Sequence, residues 1–314
     1  MPDYQKSDKS FEELCDERIN FLLMKARHTN KKLAVLYSGG VDSTLILCSI
    51  LKNAKQKDLD NVHVFMSDDS VKENLNFYYN FVIKKFKCFS SYKFPHILGR
   101  DDYLFVSGEN ADQLYGSGMN LHGIFSQKYS LDALFGDYKD SYDQMLNVLQ
   151  SRLSAENQKY GEPIFKLFTK LVESAPIDIK NVYQFYWWLT FSLKWQSVYV
   201  RILPYSLNKS TLKLEENYTT FYSTKDFSLW ALNNFEKFSG DPNSANRDMS
   251  KQYIFDVNGD KDYLKKPKVL SLHNLVRNKN MVQTIDDNLN YSNEYPNEGY
   301  YNFENDFLNI ERNK

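Results

Sequence analysis

Two short runs hold the residue types with the clearest chemical potential. The first is Ser38-Gly39-Gly40-Val41-Asp42-Ser43-Thr44, directly after the apolar run Leu33-Ala34-Val35-Leu36-Tyr37. Five apolar or aromatic residues in a row fit a strand covered on both faces. Gly39-Gly40 lets the backbone turn tightly and come close to a ligand. Val41, Leu45, Ile46 and Ile50 then recur at helical spacing. The first N–H groups of that helix have no intrahelical partner and carry the positive end of its dipole, so an anion is stabilised there. Ser38, Ser43 and Thr44 add hydroxyls, and Asp42 can hold a cation that neutralises phosphate charge. The chemistry is the grip on a phosphate chain. It is not the Walker loop, because no lysine follows the glycines.

The second run is Val106-Ser107-Gly108-Glu109-Asn110-Ala111-Asp112-Gln113-Leu114-Tyr115-Gly116, after the strand candidate Tyr103-Leu104-Phe105-Val106. Glu109 and Asp112 stand three apart and would share a face if the segment is helical. Ser107, Gly108 and Ala111 are small enough to leave room for a nucleotide. Two carboxylates beside a phosphate chain suit Mg²⁺, which takes hard oxygen ligands and bridges phosphates.

S-G-G-V-D-S resembles the pyrophosphate loop of the N-type ATP pyrophosphatases, which cleave ATP between its α- and β-phosphates. With S-G-E-N-A-D-Q-L-Y-G it resembles the synthetase domain of asparagine synthetase and its relatives, including the β-lactam synthetases. There the second motif reads approximately S-G-E-G-A-D-E-L-F-G-G. The resemblance covers about Phe11 to Leu270 and is strongest in the two motifs. It implies ATP and pyrophosphate contacts at Ser38, Gly39, Gly40, Asp42, Ser43, Ser107 and Gly108, and Mg²⁺ on Asp42 and Asp112. Glu109 joins Lys268 and Lys266 as candidate catalytic residues. The two lysines lie in Tyr263-Leu264-Lys265-Lys266-Pro267-Lys268, which, with Ser250-Lys251-Gln252-Tyr253-Ile254, falls where relatives carry an essential lysine. A lysine there would stabilise negative charge at the α-phosphate or in amide formation. A solvated basic run at a helix end is the competing reading. Phe221 to Trp230 is a third, thinner resemblance.

Asn110 and Gln113 depart from the pattern, where relatives have Gly and Glu. Relatives also carry an N-terminal glutaminase domain, which this chain is expected to lack. Nitrogen would then come from ammonia, an amine, or a separate glutaminase or carrier. The two motifs lie closer together than in relatives by roughly one strand-helix unit, so the acid pocket is expected to differ. The implied activity is adenylation of a small-molecule acid, releasing pyrophosphate, followed by amide formation with ammonia or an amine. Two alternatives stand: adenylation of a nucleobase in tRNA or DNA, and a non-catalytic nucleotide-binding relative.

The elements that must position these residues alternate. A helix is expected over Phe11 to about Arg27, the loop helix reaches to about Lys55, and Lys52 to Asp60 is a charged connection. Val62-His63-Val64-Phe65-Met66 is a second strand, and Ser67-Asp68-Asp69-Ser70 caps a helix to about Phe86. This predicts an α/β fold, a doubly wound parallel sheet followed by a helical portion. The resemblance makes it the PP-loop, adenine nucleotide alpha hydrolase-like fold. Ligands in such sheets bind at the carboxyl ends of the strands, where both motifs lie.

The expected divisions are an N-terminal helix over 1–30, the α/β core over 31–128, a helical portion over 129–282 and a polar tail over 283–314. From about Ser130 to Lys268 no strand stands out. Tyr183 to Val200 is apolar nearly all round, and its three tryptophans read as core packing rather than base stacking.

The chain has 314 residues with 42% hydrophobic and 25% charged content, enough for a real core. Its net charge of −1 gives no electrostatic reason to expect a nucleic-acid duplex. Cys15, Cys48 and Cys88 form no C-x-x-C pair, so neither a disulfide framework nor a zinc or iron–sulfur site is indicated. Without a signal-like or membrane-spanning run, a cytoplasmic protein is expected.

Overall fold

An apolar run flanked by two others builds the centre of the sheet. The computed structural model describes residues 4–91, 98, 100–115, 121–200, 202, 216–238 and 248–265. In chain order the sheet elements begin with helix α1 (Phe11–His28), strand β1 (Lys32–Leu36), helix α2 (Val41–Asn53) and a helical turn α3 (Gln56–Leu59). Strand β2 (Val62–Met66) and helix α4 (Asp68–Glu73) follow, then α5 (Leu75–Phe77), a π-helical turn (Tyr78–Val82) and α6 (Ile83–Lys85). Strands β3 (Lys87–Ser90) and β4 (Tyr103–Ser107) complete this stretch.

The chain then forms α7 (Ala111–Tyr115), α8 (Leu121–Lys128), α9 (Tyr142–Gln150), α10 (Gly161–Glu173), α11 (Val182–Leu193) and α12 (Trp195–Val200). It adds β5 (Tyr218–Thr220), α13 (Lys225–Phe238), α14 (Asp248–Asn258) and α15 (Lys261–Lys265).

These elements divide between two compact units. The sheet unit takes the described residues of Phe11–Glu109, Arg201–Phe221 and Asp248–Lys314. The helical unit takes those of Met1–Ser10, Asn110–Val200 and Tyr222–Arg247. Both are therefore discontinuous, where the sequence divides naturally into consecutive blocks. The polar tail over 283–314 lies outside the described residues.

All five strands are parallel, in the order β3-β2-β1-β4-β5. β2 and β4 are buried along their whole length, as expected for strands covered on both faces. Helices α1, α2 and α14 pack together. Lys52 of α2 holds Glu12 and Asp16 of α1 at 2.6 Å each, and Tyr253 Oη of α14 donates to Asp16 Oδ1 at 2.5 Å. The thiols of Cys15, Cys48 and Cys88 are buried and free, and burial raises each pKa, that of Cys88 to about 12.

Four expectations are corrected. A strand does occur between Ser130 and Lys268. It is β5, whose three residues Tyr218, Thr219 and Thr220 are too few to show a pattern. It is held from outside its own sequence: Arg18 of α1 donates to Thr219 Oγ1 at 2.9 Å, Thr220 O at 2.8 Å and Phe221 O at 3.0 Å. Strand β3 was also not expected, because Lys87-Cys88-Phe89-Ser90 is short and begins with a charge. The helix after Ser67 does not run unbroken to Phe86. Ser67 caps it as read, accepting from Ser70 N at 3.4 Å, but Asn74 (φ −145°, ψ 71°) breaks it and caps α5 by accepting from Phe77 N. The buried helix over Tyr183 to Val200 is broken at Lys194 into α11 and α12.

Trp187 and Trp188 are core residues of the helical unit, and each indole N–H donates at 3.0 Å, to Leu114 O and Leu171 O. No described helix is long and apolar enough to cross a membrane.

His63 on β2 gives the sheet a pH dependence. It is 5% exposed, its ring lies 4.7 Å from that of Phe89, and its Nδ1 is 3.1 Å from Tyr103 Oη. Burial, with Lys32 and Lys87 nearby, pushes its pKa down to about 4. Between that value and the usual 6.5 the unfolded chain binds more protons than the folded one. Stability contributed by neutral His63 is thus present above pH 6.5 and lost as pH falls to 4, up to about 3 kcal/mol. Denaturant titrations across this window should show the loss in the wild type and a flatter profile in His63→Gln.

Candidate active site

The two chemical runs leave adjacent parallel strands. β1 and β4 are paired in register, with Leu36 beside Ser107. Strands β1, β2 and β3 step outward in one direction, and β4 and β5 lie on the other side of β1. The order therefore reverses between β1 and β4. In open parallel sheets the crevice beyond the carboxyl ends at such a reversal is where ligands bind. Gly39-Gly40 and Gly108-Glu109 are the connections leaving those two ends.

Gly39 has φ 76°, and a Cβ there would stand 2.2 Å from Ser70 O and 2.7 Å from Glu73 Cβ. Only glycine accepts both the conformation and the wall behind it. The turn is braced from within: Thr44 Oγ1 donates to Gly39 O at 3.2 Å, and Thr44 N donates to Gly40 O at 3.0 Å. Ser43 Oγ accepts from Ser38 N at 3.1 Å, donates to Gly40 O at 3.2 Å and lies 3.1 Å from Ser38 Oγ. The motif hydroxyls thus shape the loop as well as offering donors.

Thr44 is fully buried, and the hydroxyls of Tyr37 and Tyr263 face it, that of Tyr37 without a hydrogen bond of normal geometry. Burial raises both tyrosine pKa values, with the Thr44 hydroxyl acting the other way, so both remain neutral donors.

The start of α2 suits an anion. Its N-cap is Gly40, which supplies no side-chain hydrogen bond, as is also the case at α9 and α10, whereas Ser67, Asn74 and Asn181 cap α4, α5 and α11 with theirs. The second motif packs directly on this helix start. A Cβ at Gly108 would lie 3.0 Å from Asp42 Cβ and 3.1 Å from Ser43 N. Ser107 is 4% exposed, and its Oγ lies 2.8 Å from Tyr218 Oη and accepts from Glu109 N at 3.3 Å. Tyr218 and Ser70 carry no motif signal; only the folded chain brings them to the loop.

Ser38, Gly39, Gly40, Asp42, Ser43, Ser107 and Gly108 are thus gathered at one end of the sheet, with Glu109 closing that stretch. Glu109 and Asp112 do not share a helical face. Glu109 precedes α7, and Asn110 between them takes φ 70°. Asp112 is exposed on α7 in the helical unit. Lys251 is on α14, where its Nζ donates to Leu264 O at 3.0 Å. Lys266 and Lys268 lie outside the described residues, as does Gly116.

Mg²⁺ between phosphates draws most of its oxygens from phosphate and water, so one or two protein carboxylates suffice. Among the described residues no three His, Cys, Asp or Glu side chains form a metal-holding group by themselves. The uncapped helix start, the glycine turn and the Asp42 carboxylate fit a metal–phosphate ligand.

Gly39→Ala should cost roughly 2–4 kcal/mol, from the left-handed backbone and the collision with Ser70. Gly40, with φ −71° and its nearest atom Ser38 Oγ at 3.4 Å, should accept Ala within about 1 kcal/mol. Equilibrium denaturation of both variants checks the contrast. Neither protein-family models nor curated proteins give a match to this sequence.

Proposed function

We propose that this chain is an ATP-dependent carbon–nitrogen ligase with a doubly wound PP-loop fold of the asparagine synthetase kind. It adenylates a carboxylate, releases pyrophosphate and passes the acyl group to ammonia or an amine. The observation that carries this reading is the junction of the two motifs at the strand-order reversal, with Gly108 against an α2 start that no side chain caps.

The chain's residues divide the work. Backbone N–H groups after Gly39 and Gly40 hold the departing pyrophosphate, aided by the α2 dipole. Asp42 and, as the resemblance implies, Asp112 would hold Mg²⁺, which would neutralise charge on the phosphates. Ser38 and Ser43 keep the loop in its receiving shape and add hydroxyl donors. Glu109 takes a proton from the attacking amine. Lys268 or Lys266 stabilises charge developing at the α-phosphate. The acid and amine are small molecules, with a separate glutaminase or carrier as one nitrogen source.

Incubation with Mg²⁺, ATP, ammonia and a panel of carboxylic acids tests the reading. AMP and pyrophosphate are the expected products; ADP and phosphate would overturn it. Asp42→Asn should reduce pyrophosphate release by about 100-fold while retaining the fold, as removal of a metal carboxylate does. ATP binding without turnover on any acid would favour a non-catalytic nucleotide-binding relative.

A further inference from the structure

We propose that Tyr263 is a positioning residue: the helix pair α14–α15 carries its hydroxyl to Thr44 and so braces the phosphate loop from behind. The inference rests on the phosphate-loop part of the reading above and assigns a role to a residue outside both motifs. Every group it uses belongs to the sheet unit.

The helix pair is fastened along its length. α14 packs on α2, with Ile254 fully buried, and Tyr253 Oη donates to Asp16 Oδ1 at 2.5 Å. Asp260, in the connection to α15, accepts from Asp262 N at 3.1 Å and Tyr263 N at 3.2 Å. Its other oxygen accepts from Asn76 Nδ2 of α5 at 2.5 Å. Lys251 Nζ of α14 donates to Leu264 O at 3.0 Å. A five-residue helix has no stability of its own, so these bonds set the place of α15. Tyr263 on it is 6% exposed, and its hydroxyl faces Thr44, with Asp42 and Glu73 also within electrostatic reach.

A threonine hydroxyl has one proton and two lone pairs. Thr44 gives its proton to Gly39 O at 3.2 Å, so its remaining capacity is to accept. Tyr263 is a neutral donor on that accepting side. A buried tyrosine hydroxyl is costly without a partner, and phenylalanine would fill the same space without that cost. The hydroxyl therefore matters for what it does to Thr44.

A donor behind Thr44 fixes the rotamer that holds the carbonyl of left-handed Gly39. The Gly39–Gly40 peptide is planar and trans, so holding its oxygen toward Thr44 aims Gly40 N–H the opposite way. That N–H lies on the side of Ser38 Oγ, 3.4 Å from Gly40 N. It is one of the donors assigned above to pyrophosphate. Tyr263 thus acts on the anion through Thr44 and one peptide plane.

The test uses the full chain, with magnesium pyrophosphate and magnesium ATP as probes in calorimetry. Tyr263→Phe keeps the ring and loses the hydroxyl; affinity should fall about fivefold, the worth of one neutral hydrogen bond. Thr44→Val removes the acceptor. Adding Tyr263→Phe to it should change affinity by less than about twofold, because the hydroxyl acts through Thr44. A purely structural role lowers the denaturation midpoint and leaves the affinity of the folded fraction unchanged; that result overturns the proposal. Amide hydrogen exchange without ligand decides the positioning by itself. In Tyr263→Phe the Gly40 and Thr44 amides should exchange about fivefold faster than in the wild type. Unchanged protection of both sinks the role of Tyr263, whatever the protein binds. A wild type that binds neither probe sinks the phosphate-loop reading instead.

Discussion

At Gly39 the chain leaves β1 with φ 76° against the Ser70 carbonyl, with no space for a side chain. Much of the carboxyl end of the sheet depends on that close approach. Because the peptide turns there, α2 starts immediately, and Thr44, Ser43 and Ser38 fold their hydroxyls back onto the loop. Because α2 starts there, Gly108 can press against Asp42 and Ser43. Helix α4, which follows β2, contributes the wall, so three strand ends share one constraint. A residue with a Cβ at 39 would move Ser70 and the α4 start together.

The hydroxyl pairs at this end do a second job. Ser38 with Ser43, Ser107 with Tyr218, and Ser67 with Ser70 each lie between 2.8 and 3.1 Å apart. Uncharged pairs satisfy buried polar atoms without the desolvation cost of ions. The carboxylates of the region are Asp42 and Glu109, which are partly exposed, and Glu73, which is buried behind Gly39. Such an arrangement gives a loop that is held in shape before any anion arrives.

Long apolar signals were legible. Leu33 to Tyr37, Val62 to Met66 and Tyr103 to Val106 each gave a central strand, because burial on both faces demands continuous apolar residues. The glycine turn and the Ser67 cap were legible because each depends on one residue type. The edge strands were not, since Lys87-Cys88-Phe89-Ser90 and Tyr218-Thr219-Thr220 are defined by neighbours rather than by their own pattern. The helical face joining Glu109 to Asp112 failed for a local reason: three-residue spacing says nothing of a left-handed residue between. Ser38 to Ser43 and Ser107 to Gly108 meet as their motifs require, whereas Tyr218 reaches Ser107 across a separation of 111 residues that no local pattern encodes.

Arg18 lies far upstream of the strand end it clasps. Between Ser107 and Tyr218 the chain makes the greater part of the helical unit before returning to lay β5 beside β4. Closing so long a loop adds little to the equilibrium cost, which grows only with the logarithm of length, but it delays the contact. During synthesis β4 therefore stands as an open edge, with its backbone donors and acceptors available to another chain. Arg18 is already in place by then, with burial lowering its pKa only to about 10, so it remains a cation at any physiological pH. The last strand to arrive meets a donor waiting for its carbonyls, and a vulnerable edge is shut by one of the first residues made.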